Sequence, residues 1–89
     1  MRRRIDVDEK KFQRVLGELI RKYRRQNQLT IEEVAEKVDM DEKHLSKLEN
    51  GKHNPTSITL FKLIAVLDIP CDFFDDLKKE VKNLLQVDL

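Results

Sequence analysis

Residues 30–51 read TIEEVAEKVDMDEKHLSKLENG, and this stretch decides the fold. Thr30 and Glu33 have the Ser/Thr-x-x-Glu spacing of a capping box, and Leu29 and Val34 stand where a hydrophobic staple clamps the incoming chain. A helix therefore starts at Thr30. Val34, Ala35 and Val38 supply its inner face. Asp39-Met40-Asp41 then breaks the period with a residue that tolerates the left-handed region, followed by a second N-cap. Another short helix follows at once. Leu45 and Leu48 form its buried side, and Asn50-Gly51 ends it, with glycine where a helix stop calls for positive φ.

Toward the N-terminus, Phe12, Val15, Leu16, Leu19, Ile20 and Tyr23 recur at three- and four-residue steps and predict a first helix from near residue 9. It should stop around Asn27 and Gln28, because Asn accepts the left-handed conformation. Toward the C-terminus, Pro55 blocks continuation and Thr56 or Ser57 caps a fourth helix that runs to about Leu67, before Asp68-Ile69-Pro70 breaks it. That helix has two apolar stripes. Leu60, Leu63, Ile64 and Leu67 lie on one side, while Ile58, Phe61 and Ala65 lie nearly opposite. A fifth helix, capped by Asp72, turns Phe73, Phe74, Leu77, Val81, Leu84 and Leu85 inward, and part of that spacing is heptad-like.

The expected fold is all-α, with five helices. The chain has 89 residues, of which 39% are hydrophobic and 39% charged, enough for one small core under a heavily solvated surface. Two Gly, two Pro, four Phe and no Trp suit helices joined by short turns. A flexible basic arm is expected over residues 1–9, where Arg2, Arg3 and Arg4 mix with acids, and a single domain over 10–89. No apolar run approaches the roughly 18 residues that span a bilayer, and the lone Cys71 excludes an internal disulfide and a cysteine metal centre. A cytoplasmic chain with no membrane partner is the expectation.

The net charge of +1 hides an asymmetry. Residues 1–28 carry ten basic and four acidic side chains, while residues 29–89 carry eight and thirteen. Such a basic end suits phosphate or an acidic protein, and it also suits plain solvation. No Ser, Cys and His set pairs a nucleophile with a base, and His44 and His53 stand apart from any cysteine or paired carboxylate at ligand spacing. Neither an enzyme nor a cofactor is expected.

Two short helices joined by a tight turn, inside a five-helix domain with a basic edge, can place the second helix in a DNA major groove. From about Leu16 to Leu77 the chain resembles the helix-turn-helix domain of the lambdoid phage repressor and Cro family, also called the XRE family of bacterial regulators. The resemblance rests on the small Ala35, the turn at Asp39, apolar Leu45 and Leu48, and the run Leu48-Glu49-Asn50-Gly51-Lys52 followed by Asn54-Pro55. It implies a lambda-repressor-like fold in which Arg24, near the end of the first helix, pairs with Glu49. It also implies base-reading roles for Glu42, Lys43, His44 and Lys47, and phosphate contacts at Thr30, Asn50, Lys52, His53 and Asn54. Lysines at such positions donate to guanine, and a glutamate accepts from the cytosine amine, so a G·C-containing half-site is expected.

Three positions depart from the family pattern. Ile31 stands where Gln is common and bonds a phosphate, Asp41-Glu42 brings negative charge to the start of the reading helix, and Asp39 replaces the usual Gly. The surplus apolar residues Ile58, Phe61, Ala65, Phe74, Leu77, Val81 and Leu84 predict a homodimer through the fourth and fifth helices. The leading expectation is a dimeric, sequence-specific regulator of transcription, a repressor on a pseudo-palindromic operator in double-stranded DNA. The rival is a protein-interaction module, an antitoxin or adaptor, that engages a protein partner through the same apolar helices.

Overall fold

In the computed structural model the described residues are 9–70 and 72–84, without the side chains of Glu80, Asn83 and Leu84. Arg2, Arg3, Arg4, Cys71, Leu85 and the expected inward side chain of Leu84 lie outside them. Five helices follow in order: α1 (Glu9–Gln26), α2 (Ile31–Lys37), α3 (Glu42–Glu49), α4 (Ser57–Val66) and α5 (Asp72–Leu84). No strand occurs among the described residues. None of their helices is long and apolar enough to cross a membrane.

The caps explain the boundaries. Thr30 accepts the Glu33 amide while the Glu33 carboxylate accepts the Thr30 amide, which completes the capping box of α2. Asp41 accepts the Lys43 amide at 2.8 Å and starts α3, and Thr56 rather than Ser57 caps α4. Asp72, expected as a cap, is instead the first residue of α5, where its charge faces the positive end of the helix dipole.

Four helices end in the same way. After α1, α2, α3 and α4 the chain passes through a positive φ at Gln28, Asp39, Gly51 and Asp68. In each case the next amide reaches back six residues inclusive: Leu29 to Arg24, Met40 to Ala35, Lys52 to Lys47 and Ile69 to Ile64. Only one of the four is glycine. Gln28, Asp39 and Asp68 are exposed, so a side chain there costs backbone strain of about 1 kcal/mol and no collision. Gly51 has no such freedom, because a Cβ would come within 2.8 Å of the Arg14 Cα. At the end of α1 it is Gln28, not Asn27, that takes the left-handed conformation. Asn27 instead donates its amide to the carbonyls of Tyr23 and Leu67, both at 2.7 Å, and fastens the end of α1 to the end of α4.

Leu16, Ile20 and Tyr23 of α1 meet Val34, Ala35 and Val38, Leu45 and Leu48, Leu63 and Leu67, Ile69 and Phe73 in one core. Tyr23 and Phe73 meet edge to face with ring centroids 5.9 Å apart. Helix α1 packs on α3 and α5, and α2 packs on α3 and α4. The α1–α3 contact is unusually close. Gly17 is buried against the last turn of α3, and a Cβ there would strike the Leu48 carbonyl oxygen and come within 2.7 Å of that of Glu49. The chain's two glycines thus sit on the same junction.

Glu49 closes that junction. Its side chain is fully buried, and its two oxygens accept Arg24 Nε at 2.7 Å and Arg24 Nη2 at 3.0 Å, a bidentate pair. Arg24 Nη1 also donates to the Leu29 carbonyl at 2.9 Å, so one guanidinium ties α1, the α1–α2 turn and α3 together. Arg21 joins from α1, with Nε 3.3 Å from Glu49 Oε1 and Nη2 2.6 Å from Asn50 Oδ1. Arg21 therefore does not lie free on the cationic side of α1. It is bound, because a buried carboxylate has lone pairs enough for two guanidinium groups.

Two outcomes follow for stability. Asp39→Gly should raise it slightly, by no more than about 0.5 kcal/mol, relief of left-handed strain narrowly exceeding the added chain entropy. Glu49→Ala should lower it by about 3 kcal/mol, because it leaves the nearly buried Arg24 without its carboxylate. Urea denaturation at pH 7 measures both.

Candidate nucleic-acid interface

Helix α3 divides sharply by face. Leu45, Leu48 and Glu49 are buried, while Glu42, Lys43, His44 and Lys47 are exposed. The division follows from sequence, because buried positions three and four apart leave the intervening ones on the far side of a helix. Among the described residues Lys43, Lys47, Lys52 and Lys62 take part in no ion pair. The Asp41 carboxylate that stands beside them is committed to the Lys43 amide.

Two shallow clefts flank the exposed face. One is bordered by Val38, Asp39, Met40, Asp41, Lys43, His44 and Lys47 and by Thr59 and Lys62 of α4. Lys62 was not singled out by sequence, because its place beside Lys43 and Lys47 depends on how α4 crosses the turn. The other cleft is bordered by Ile31, Asp41, Glu42, Lys43 and Ser46, where the start of α2 meets the start of α3.

The residues expected at phosphates are dispersed. The Thr30 hydroxyl serves its own helix as a cap. Asn50 gives its carbonyl oxygen to Arg21, and its amide lies 3.5 Å from the Ser46 hydroxyl. Lys52 and His53 are exposed, and Asn54 borders a separate cleft with Glu9, Phe12 and Val81 on the α1–α5 side. The His53 ring stacks on His44, with centroids 5.2 Å apart and planes 25° apart, which joins the loop after α3 to the exposed face of that helix. No spacing rule connects residues 44 and 53; the Gly51 turn folds the chain back. Among the described residues no group of three His, Cys, Asp or Glu could hold a metal ion.

On α1, Arg14 and Arg25 are exposed. Lys22 Nζ lies 5.3 Å from the centre of the Tyr23 ring and borders a cleft toward α5 with Asp76 and Lys79. On α4 and α5, Ile58 is 68%, Phe61 63% and Phe74 48% exposed. Ala65 is exposed, while Leu77 and Val81 are half-buried.

Residues 20–74 match the helix-turn-helix family model HTH_3. Over 58 residues, 65% of this chain and 75% of the relative, the sequence is 37% identical to an uncharacterized HTH-type transcriptional regulator, y4dJ, of Sinorhizobium fredii. Over 66 residues, 72% of this chain and 89% of the relative, it is 35% identical to the control protein C.MunI of a Mycoplasma species. Among solved structures, a point mutant of the controller protein C.Esp1396I bound to its highest affinity operator site superposes with a TM-score of 0.67 at 27% identity, covering 79% of this chain and 93% of that one. With the family model matched across all five helices, α1 and α5 in part, this chain belongs to the XRE family of helix-turn-helix transcription regulators.

Proposed function

We propose that this chain is a cytoplasmic, sequence-specific DNA-binding protein that acts as a homodimer and represses transcription by occupying a pseudo-palindromic operator. One observation carries the reading: the outer face of α3 is exposed and its lysines are unpaired, while its inner face is anchored by Leu45, Leu48 and Glu49. A helix so held presents four side chains to the base edges of a major groove without moving. Lys43 and Lys47 donate to guanine O6 and N7, Glu42 accepts from a cytosine amine, Lys52 neutralises an adjoining phosphate, and His53 donates a hydrogen bond to one. His44 reads bases from its place on the His53 ring.

The homodimer reading is supported by the exposed Ile58, Phe61, Ala65 and Phe74 on α4 and α5. A second copy covers them, and a two-fold arrangement sets two reading helices about 34 Å apart, one turn of DNA. The half-buried Leu77 and Val81 divide their surface between the fold and such a partner. These exposed apolar residues also favour the second reading, an antitoxin or adaptor that holds a different protein on that surface.

Selection of bound duplexes from a random library separates the two readings. A palindrome should emerge, and its affinity should fall steeply with salt as several lysines release counterions. Lys47→Ala should then relax preference at one base pair by about 1–3 kcal/mol, and Lys52→Ala should weaken all sequences alike. Recovery of no enriched motif at low salt contradicts the regulator reading and favours the protein partner.

A further inference from the structure

Helix α2 buries Val34 and Ala35, and Val38 follows them into the core at its C-cap. Ile31, its first residue, is different. It is half-buried, packs one side against the core, and leaves the other in the cleft bordered by Asp41, Glu42, Lys43 and Ser46. The remaining four residues of that cleft are polar or charged, and two of them belong to the exposed face of α3. An isoleucine here donates nothing to a phosphate. What it offers is a branched aliphatic surface level with the first turn of the reading helix.

The edge of a base pair in the major groove presents hydrogen-bond donors, acceptors and one apolar group, the C5-methyl of thymine. An aliphatic side chain seated among base-reading residues therefore has one complement on duplex DNA. We propose that Ile31 is a specificity-determining residue that packs on the C5-methyl group of a thymine next to the base pair reached by Glu42. This rests on the DNA-binding reading above and extends it to a residue on α2. The adjoining Lys43 supplies the cation that holds a polyanion against the cleft, and the carboxylate of Glu42 repels a phosphate from it. The carboxylates of Asp41 and Glu42 thus favour a base edge over the backbone at this point, while Lys43 keeps the duplex close.

The test uses the selected operator duplex and leaves the protein unchanged in its first arm. Each thymine of a half-site is replaced in turn by deoxyuridine, which removes the methyl group alone, and affinity is measured by titration. At one position the wild-type chain should lose about fourfold in affinity, the factor expected for one buried methyl group. Ile31→Ala should bind the thymine and deoxyuridine duplexes equally at that position. Ile31→Val, which keeps the branch and the helix start, should retain part of the difference, and circular dichroism checks that both variants fold.

The proposal is overturned if no thymine responds, if the half-site has no thymine beside the pair read by Glu42, or if the deoxyuridine penalty persists in Ile31→Ala. Uniformly weaker binding of Ile31→Ala, with the penalty intact, assigns Ile31 to packing alone and overturns it too. Failure to recover any bound duplex contradicts the DNA-binding reading itself and removes this inference with it, a result distinct from a palindrome whose thymine methyl groups go unread.

Discussion

A buried carboxylate at the end of α3 is the point on which the rest of the molecule depends. Glu49 has no access to water, so its charge is tolerable only because Arg24 meets it with two parallel bonds and Arg21 adds a third. Those bonds are directional. They fix the end of α3 against α1 in position and in rotation about its own axis, which a purely apolar contact would leave less defined. Close approach makes the bonds reachable, and both glycines permit it: Gly17 lets the α3 carbonyls rest on α1, and Gly51 lets the following turn pass over Arg14. With its inner end fixed, α3 has one outward face, and Glu42, Lys43, His44 and Lys47 occupy it.

Much of this was legible in the chain because it follows from local chemistry. The capping box at Thr30 and Glu33, the apolar steps of α1 and the Asn50-Gly51 stop each depend on residues within one or two turns, and α1, α2 and α3 lie where those signals set them. The double apolar pattern of α4 is divided as the wheel divides it, Leu63 and Leu67 inside and Ile58 and Phe61 outside. What was not legible depends on how helices cross. The resemblance pairs Arg24 with Glu49, but nothing in sequence singles out Arg21, and only the crossing of α1 over α3 brings it to the same carboxylate. Gly17 inside a helical pattern reads as a weak spot until the carbonyls of Leu48 and Glu49 are seen against it. The left-handed residue after α1 was misplaced by one position for a related reason. Asn27 has two carbonyls to bond, one of them forty residues away on α4, and Gln28 takes the turn.

The three departures from the family pattern differ in physical weight. Asp39 adopts the left-handed conformation that glycine would take and remains exposed, so its cost is local strain. Asp41 and Glu42 add negative charge near the exposed face of α3, but the first is an N-cap and both lie where the dipole of α3 favours anions. Ile31 changes the chemistry of the surface itself, from a hydrogen-bonding group to an aliphatic one, at a place where α2 and α3 meet.

The central claim is that α3, held rigidly by Glu49, meets DNA with its outer face. Titrating the selected operator duplex into nitrogen-15-labelled protein, with backbone and arginine Nε resonances followed by NMR, tests it most directly. The account predicts the largest shifts at the amides of Thr30, Lys43, Lys47 and Lys52, with the Arg24 Nε resonance unmoved in its bond to Glu49. Shifts concentrated at Ile58, Phe61 and Phe74 with α3 silent, or loss of the Arg24 resonance on binding, would contradict it.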